Sequence, residues 1–110
     1  MSGVFILRNV ATDRVLDSNE NGQVYTLPVN YCDYQKWKVV QYGTHVMLHN
    51  LATGIVLDSN FEGSVYKLSE NKGDYQKWRM EGPGNETFFL TNVATGRVLD
   101  SNPEGKTYTL

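Results

Sequence analysis

Three aspartates stand in one repeated setting. Asp17, Asp58 and Asp100 fall in Val15-Leu16-Asp17-Ser18-Asn19, Val56-Leu57-Asp58-Ser59-Asn60 and Val98-Leu99-Asp100-Ser101-Asn102. Two chemistries suit a carboxylate so placed. It can cap backbone N–H groups of the turn that follows. It can also accept paired hydrogen bonds from adjacent hydroxyls of a pyranose. The two uses are compatible. A pyranose also presents an apolar C–H face, and tyrosines recur nearby. Tyr25, Tyr66 and Tyr108 follow each turn, and Tyr34 and Tyr75 come later. Each joins an apolar ring to a hydroxyl that can reach a sugar oxygen, or it can seal a hairpin against the core. The Asn19 or Asn30 amide, and the Asn60 or Asn71 amide, can donate and accept. The candidate binding set is Asp17, Asn19, Tyr25, Asn30 and Tyr34; Asp58, Asn60, Tyr66, Asn71 and Tyr75; and Asp100.

Catalysis finds little support. A glycosidase needs two carboxylates about 5–10 Å apart, and repeat-related aspartates belong on separate lobes. His45 and His49 on one strand would lie about 13 Å apart, too far to share a metal. No metal and no cofactor is expected. Asn85-Glu86-Thr87 is a formal glycosylation sequon within a Gly-Pro-Gly-Asn linker.

The elements that must position these residues come from an internal repeat. Asn9-Val10-Ala11-Thr12 returns as Asn50-Leu51-Ala52-Thr53 and Asn92-Val93-Ala94-Thr95, in step with the aspartates. The copies span residues 4–43, 44–84 and 85–110, within one domain. Copies one and two continue through Asp33-Tyr34-Gln35-Lys36-Trp37 and Asp74-Tyr75-Gln76-Lys77-Trp78, and copy three stops short of such a segment. Copy one reads as four short strands at residues 5–9, 14–17, 24–27 and 35–39. Phe5 and Leu7, Val46 and Leu48, and Phe88 and Leu90 alternate onto one face. Helical apolar periodicity is missing, so no helix beyond a single turn is expected. One core should unite Phe5, Leu7, Leu16, Trp37, Val46, Leu48, Leu57, Trp78, Phe88, Leu90 and Leu99. Gln35 and Gln76 should share a strand face with their tryptophans and brace a neighbouring loop, since buried amides must be hydrogen-bonded.

Short strands with turn signals between them predict an all-β fold, here three units about an axis. The hairpin Ala-Thr-x-x-x-Leu-Asp-Ser-Asn followed by Gln-x-Trp resembles the ricin B-type (R-type) lectin family over residues 5–110. That resemblance implies a β-trefoil, a six-stranded barrel capped by three hairpins. It also implies glycan partners without enzymatic activity, and it matches Asp17, Asp58 and Asp100 to the family's sugar-binding aspartate. The sequence departs from the family at two places. Leu27, Leu68 and Leu110 stand where sugar binders carry an aromatic platform, and Tyr34 and Tyr75 replace an asparagine.

Composition closes other routes. The 110 residues suit one domain. With 40% hydrophobic and 20% charged residues the chain is globular. A net charge of −2 argues against nucleic acid and against electrostatic attachment to a membrane. The longest apolar run is Val4-Phe5-Ile6-Leu7, too short for membrane insertion. Cys32 alone cannot form an intrachain disulfide. Copy three lacks a Gln-x-Trp strand, so eleven strands are expected and the barrel keeps two open edges. Open edges template association. They predict a homo-oligomer whose chains complete one another. The alternative function is a protein-interaction or structural scaffold without sugar affinity.

Overall fold

The computed structural model describes residues 3–82 and 87–110, so sequon residues Asn85 and Glu86 lie outside the described residues. Copy one supplies β1 (Gly3–Phe5), β2 (Val15–Ser18), β3 (Val24–Leu27), a 3₁₀ turn (Asp33–Gln35) and β4 (Trp37–Tyr42). Copy two supplies β5 (His45–Asn50), β6 (Val56–Ser59), β7 (Val65–Leu68), a second 3₁₀ turn (Asp74–Gln76) and β8 (Trp78–Glu81). Copy three supplies β9 (Phe89–Asn92), β10 (Leu99–Ser101) and β11 (Thr107–Thr109). The fold is all-β, with no helix longer than one turn among the described residues. None of these helices is long and apolar enough to cross a membrane.

The strands form two layers. β1, β4, β5, β8 and β9 pair antiparallel in that order as a barrel wall. The hairpins β2–β3, β6–β7 and β10–β11 form the cap in equivalent register, pairing Asp17 with Tyr25, Asp58 with Tyr66 and Asp100 with Tyr108. A barrel capped by three hairpins about a pseudo-threefold axis is a β-trefoil.

The caps interlock as a ring. Thr26 N–H donates to Gly105 O at 2.8 Å, Lys67 N–H to Gly22 O at 2.9 Å and Thr109 N–H to Gly63 O at 2.9 Å. Only glycine allows this approach. Gly105 has φ +94°, and a Cβ there would meet Thr26 O at 2.7 Å. Arg14 Nη2 braces the Thr26 carbonyl at 2.7 Å, and Arg97 Nη2 braces the Thr109 carbonyl at 2.9 Å. In copy two Ile55 stands in the arginine's place, and Lys67, in the place of Thr26 and Thr109, is buried with Nζ donating to Thr53 Oγ1 at 2.9 Å.

All eleven residues expected in the core are there. Leu16, Trp37, Val46, Leu48, Leu57, Trp78 and Leu90 are buried in one cluster with Val24 and Val39, and Phe5, Leu7, Phe88 and Leu99 pack against it half-buried. Trp37 and Trp78 are fully buried. Their indole N–H groups donate to Leu16 O at 3.1 Å and Leu57 O at 3.2 Å, so the rings bring no unpaired donor inside.

Two expectations need correction. Gln35 and Gln76 close 3₁₀ turns and do not lie on the fourth strand. Each turn points its glutamine inward before the chain extends at Lys36 or Lys77. The first strand of copy one is also shorter than residues 5–9. Its equivalent β5 is long because β4 runs beside it from Trp37↔Asn50 to Tyr42↔His45. Residues 6–9 meet β2 only through the isolated bridge Arg8↔Val15 and the Leu16 N–H donating to Leu7 O, so among the described residues they build no longer ladder.

Candidate functional site

The site grows from the buried aspartate at the end of β2. Asp17 is 3% exposed and Asp58 2% exposed. Asp17 Oδ1 accepts the Ser18 N–H at 2.7 Å, and Asp58 Oδ1 accepts the Ser59 N–H at 2.7 Å. Asp17 Oδ2 accepts Gln35 Nε2 at 2.9 Å, and Asp58 Oδ2 accepts Gln76 Nε2 at 3.1 Å. Each glutamine has a second and third partner. Gln35 Nε2 donates to Pro28 O at 3.1 Å and its Oε1 accepts the Asn30 N–H at 2.8 Å. Gln76 repeats this with Ser69 O at 2.9 Å and the Asn71 N–H at 2.9 Å. The loop between β3 and β4 is thus tied to the carboxylate, which is the bracing expected of these amides. Each carboxylate oxygen still has a free lone pair for a hydroxyl donor. Burial pushes the Asp58 carboxyl above its ordinary range, and the Gln76 and Ser59 donors partly offset that.

In copy one the aspartate floors an open depression of about 480 Å³ lined by Asp17, Ser18, Asn19, Glu20, Tyr25 and Tyr34 among others. The Tyr34 hydroxyl donates to Glu20 Oε1 at 2.8 Å across the rim. That hydrogen bond raises the Tyr34 pKa first of all, with burial and the Glu20 charge adding to it. Burial and then the Asp17 charge raise the Tyr25 pKa. Asn19 shapes the turn, because its Oδ1 accepts the Asn21 and Gln23 N–H groups and its Nδ2 donates to Gln23 Oε1. Asn30 Oδ1 accepts the Cys32 N–H inside the loop, so Asn30 stands behind the depression.

Copy two keeps the floor and changes the rim. Phe61 stands where copy one has Glu20, and it is 63% exposed. Its ring meets the Tyr75 ring edge-on, with centroids 5.7 Å apart and planes at 85°. A polar rim becomes an aromatic corner. The Tyr66 hydroxyl donates to Ser59 O at 3.1 Å beside the aspartate. Asn60 Oδ1 holds the Glu62 and Ser64 N–H groups, and Asn71 Oδ1 holds Gly73 N–H. Phe61 and Glu20 were not among the sequence candidates. The available signal was an apolar residue inside an otherwise polar Asn-x-x-Gly turn.

Copy three shows only part of this arrangement among the described residues. Asp100 Oδ1 accepts the Ser101 N–H at 2.7 Å, but no glutamine reaches its Oδ2 among the described residues, and Asp100 is half-buried. Among the described residues no group of His, Cys, Asp and Glu could hold a metal ion.

No protein-family model matches the chain. Solved structures match over nearly its full length. The designed threefold-symmetric protein ThreeFoil is similar with a TM-score of 0.80 at 20% identity, over 99% of this chain and 86% of its own. The BEL β-trefoil is similar at 0.80 and 17%, over 97% of this chain and 84% of its own. SeviL, solved with asialo-GM1 saccharide bound, is similar at 0.81 and 17%, over 99% of this chain and 87% of its own. Other matched chains are longer, and this chain spans only 15% and 26% of two of them. At such identities the likeness establishes the β-trefoil fold.

Proposed function

We propose that the chain is a non-catalytic carbohydrate-binding module with unequal sites in copies one and two. The carrying observation is the convergence at one hairpin mouth of a buried, hydrogen-bonded aspartate with aromatic rings, half-buried at Tyr25, Tyr34 and Tyr66 and exposed at Phe61 and Tyr75. Asp58 lies below Phe61, Tyr66 and Tyr75 in copy two, as Asp17 lies below Tyr25 and Tyr34 in copy one. The aspartate accepts vicinal hydroxyls, and the rings take the C–H face. Glu20 is a second carboxylate at site one, yet Phe61 holds its place at site two, so no acid pair recurs to support hydrolysis. SeviL, of the same fold, holds a saccharide, which supports the reading.

Each shallow site alone binds weakly, and two on one chain gain about 10²–10⁴ on a polyvalent glycan. The homo-oligomer expected from the sequence would add valency, and light scattering on the glycan-free chain reads it directly. The deciding experiment is a glycan array followed by titration. Binding should collapse when Asp17→Ala and Asp58→Ala are combined in a chain that remains folded. Silence of the folded wild-type chain towards every glycan would reject the reading. It would leave a protein-interaction scaffold, which the exposure of Leu27, Leu68 and Leu110 favours.

A further inference from the structure

The rims of sites one and two differ at one pair of matched positions. Phe61 holds the place of Glu20, and Tyr75 that of Tyr34. In copy one the Tyr34 hydroxyl donates to Glu20 Oε1 at 2.8 Å, and both residues line the depression floored by Asp17. In copy two the same two places hold rings packed edge-on, with centroids 5.7 Å apart and planes at 85°. Ring planes at right angles make the two walls of an apolar corner. The corner is open, because Phe61 is 63% exposed and Tyr75 39% exposed. Neither ring belongs to the core cluster.

The hydroxyls differ as well. Glu20 occupies the Tyr34 hydroxyl in copy one. In copy two the Tyr66 hydroxyl donates to Ser59 O at 3.1 Å, while the Tyr75 hydroxyl has no hydrogen-bond partner among the described residues and its ring meets Phe61. The corner therefore sets an apolar surface beside a phenol that is free to donate. Its electrostatic setting is negative. Glu62 stands where copy one has Asn21. Burial first, then the Asp58 and Glu62 charges, raise the Tyr66 pKa, so both carboxylates lie close to this mouth.

We infer that the Phe61–Tyr75 corner makes site two a receptor for neutral 2-acetamido sugars, and that Glu20 denies site one the same preference. The inference rests on the carbohydrate-binding reading and sorts its ligands between the two sites. An acetamido group joins a methyl to a carbonyl. The methyl leaves water against the Phe61 ring, and the carbonyl accepts the Tyr75 hydroxyl. At site one the same methyl meets the Glu20 carboxylate and strips it of water, which costs free energy, and the Tyr34 hydroxyl is already engaged. A plain sugar hydroxyl suits that rim, because it can donate to a remaining Glu20 lone pair. The Asp58 and Glu62 charges disfavour acetamido sugars that carry a carboxylate of their own. A 6-deoxy sugar brings a methyl without the carbonyl and gains only the ring contact.

The test is an NMR titration of the 110-residue chain, in which backbone amides report the two sites separately in one sample. The probes are the methyl glycosides of glucose and galactose, their 2-acetamido counterparts, and a methyl sialoside. Resonances of residues 58–62 and 73–76 should show the acetamido sugar binding about tenfold tighter than its 2-hydroxy parent. Resonances of residues 17–21 and 32–35 should show no such gain. Phe61→Glu should abolish the preference at site two, and Glu20→Phe should create it at site one. Tyr75→Phe keeps the ring and loses the hydroxyl, so it should weaken the acetamido sugar about threefold and leave the 2-hydroxy sugar unchanged. Comparing two sugars on one variant cancels any change in the fraction of folded chain. Three results would overturn this inference alone: one affinity ratio at both sites, a preference that survives Phe61→Glu, or a sialoside bound at site two above the neutral acetamido sugar. Silence of both sites towards every sugar would overturn the carbohydrate-binding reading together with it.

Discussion

At residue scale, the aspartates serve the fold, and the proposed sugar sites would draw on the same carboxylates. Asp58 accepts a turn N–H and the Gln76 amide, and each of its oxygens keeps a further lone pair. Removing Gln76 leaves Asp58 Oδ2, the Asn71 N–H and the Ser69 carbonyl without their partner, so Gln76→Ala should cost about 1–3 kcal/mol in urea denaturation. Phe61 carries no such duty. Phe61→Ala should change stability by less than about 0.5 kcal/mol and weaken glycan binding at site two about tenfold. Asp58 should matter more for binding than Asp100, which no glutamine among the described residues orients. The direction of pH dependence follows from burial. The Asp58 pKa lies above the ordinary 3.8, so on acidification it takes up its proton sooner than a free aspartate. The same shift means that ionised Asp58 detracts from stability at neutral pH, and that this penalty is relieved as pH falls through the folded pKa. Titration by calorimetry should show site-two affinity falling as pH drops through the folded pKa, where protonation of this same group adds to the stability of the fold. Affinity unchanged down to the ordinary carboxylate range would contradict that.

At element scale, the repeat made most of the fold legible before any coordinates. Period-two alternation in phase across three copies placed the core, and Trp37, Leu48 and Leu90 all lie where alternation put them. The 3₁₀ turns were not legible, because a glutamine two residues before a tryptophan reads the same on a strand as at a turn's end. Nor was the Glu20–Tyr34 bond, which joins residues from different loops. Phe61 was the one site residue that composition alone could have flagged. The ring of hairpins rests on glycines whose need is geometric. Gly105→Ala meets a backbone carbonyl at 2.7 Å at positive φ, and should cost well over the roughly 1 kcal/mol of a glycine conformational penalty. Gly54→Ala has the same hand of φ and nothing within 4 Å of the new Cβ, and should cost only about that penalty. Thermal melts of the two variants side by side check the difference.

At the scale of the whole molecule, near-symmetry in sequence coexists with inequivalence in use. Copy one has a polar rim, copy two an aromatic one, and copy three, among the described residues, a floor without its brace. Trp78→Ala removes a fully buried side chain from the centre these copies share, and should cost about 3–5 kcal/mol, a large part of the stability of a domain this size. The ring of caps carries a consequence for the order of events in time. It closes through links between distant parts of the chain: Thr107 Oγ1 donates to Val24 O, 83 positions away in sequence. Such long-range closure places the chain among slow-folding topologies, with relaxation in milliseconds to seconds. Each clasp joins the strand of one hairpin to the glycine turn of another, so the ring closes only when all three hairpins are in place. The Thr26, Lys67 and Thr109 amides should therefore exchange with deuterium as one cooperative class. Slowing one of them by a substitution in its own hairpin should slow the other two by the same factor.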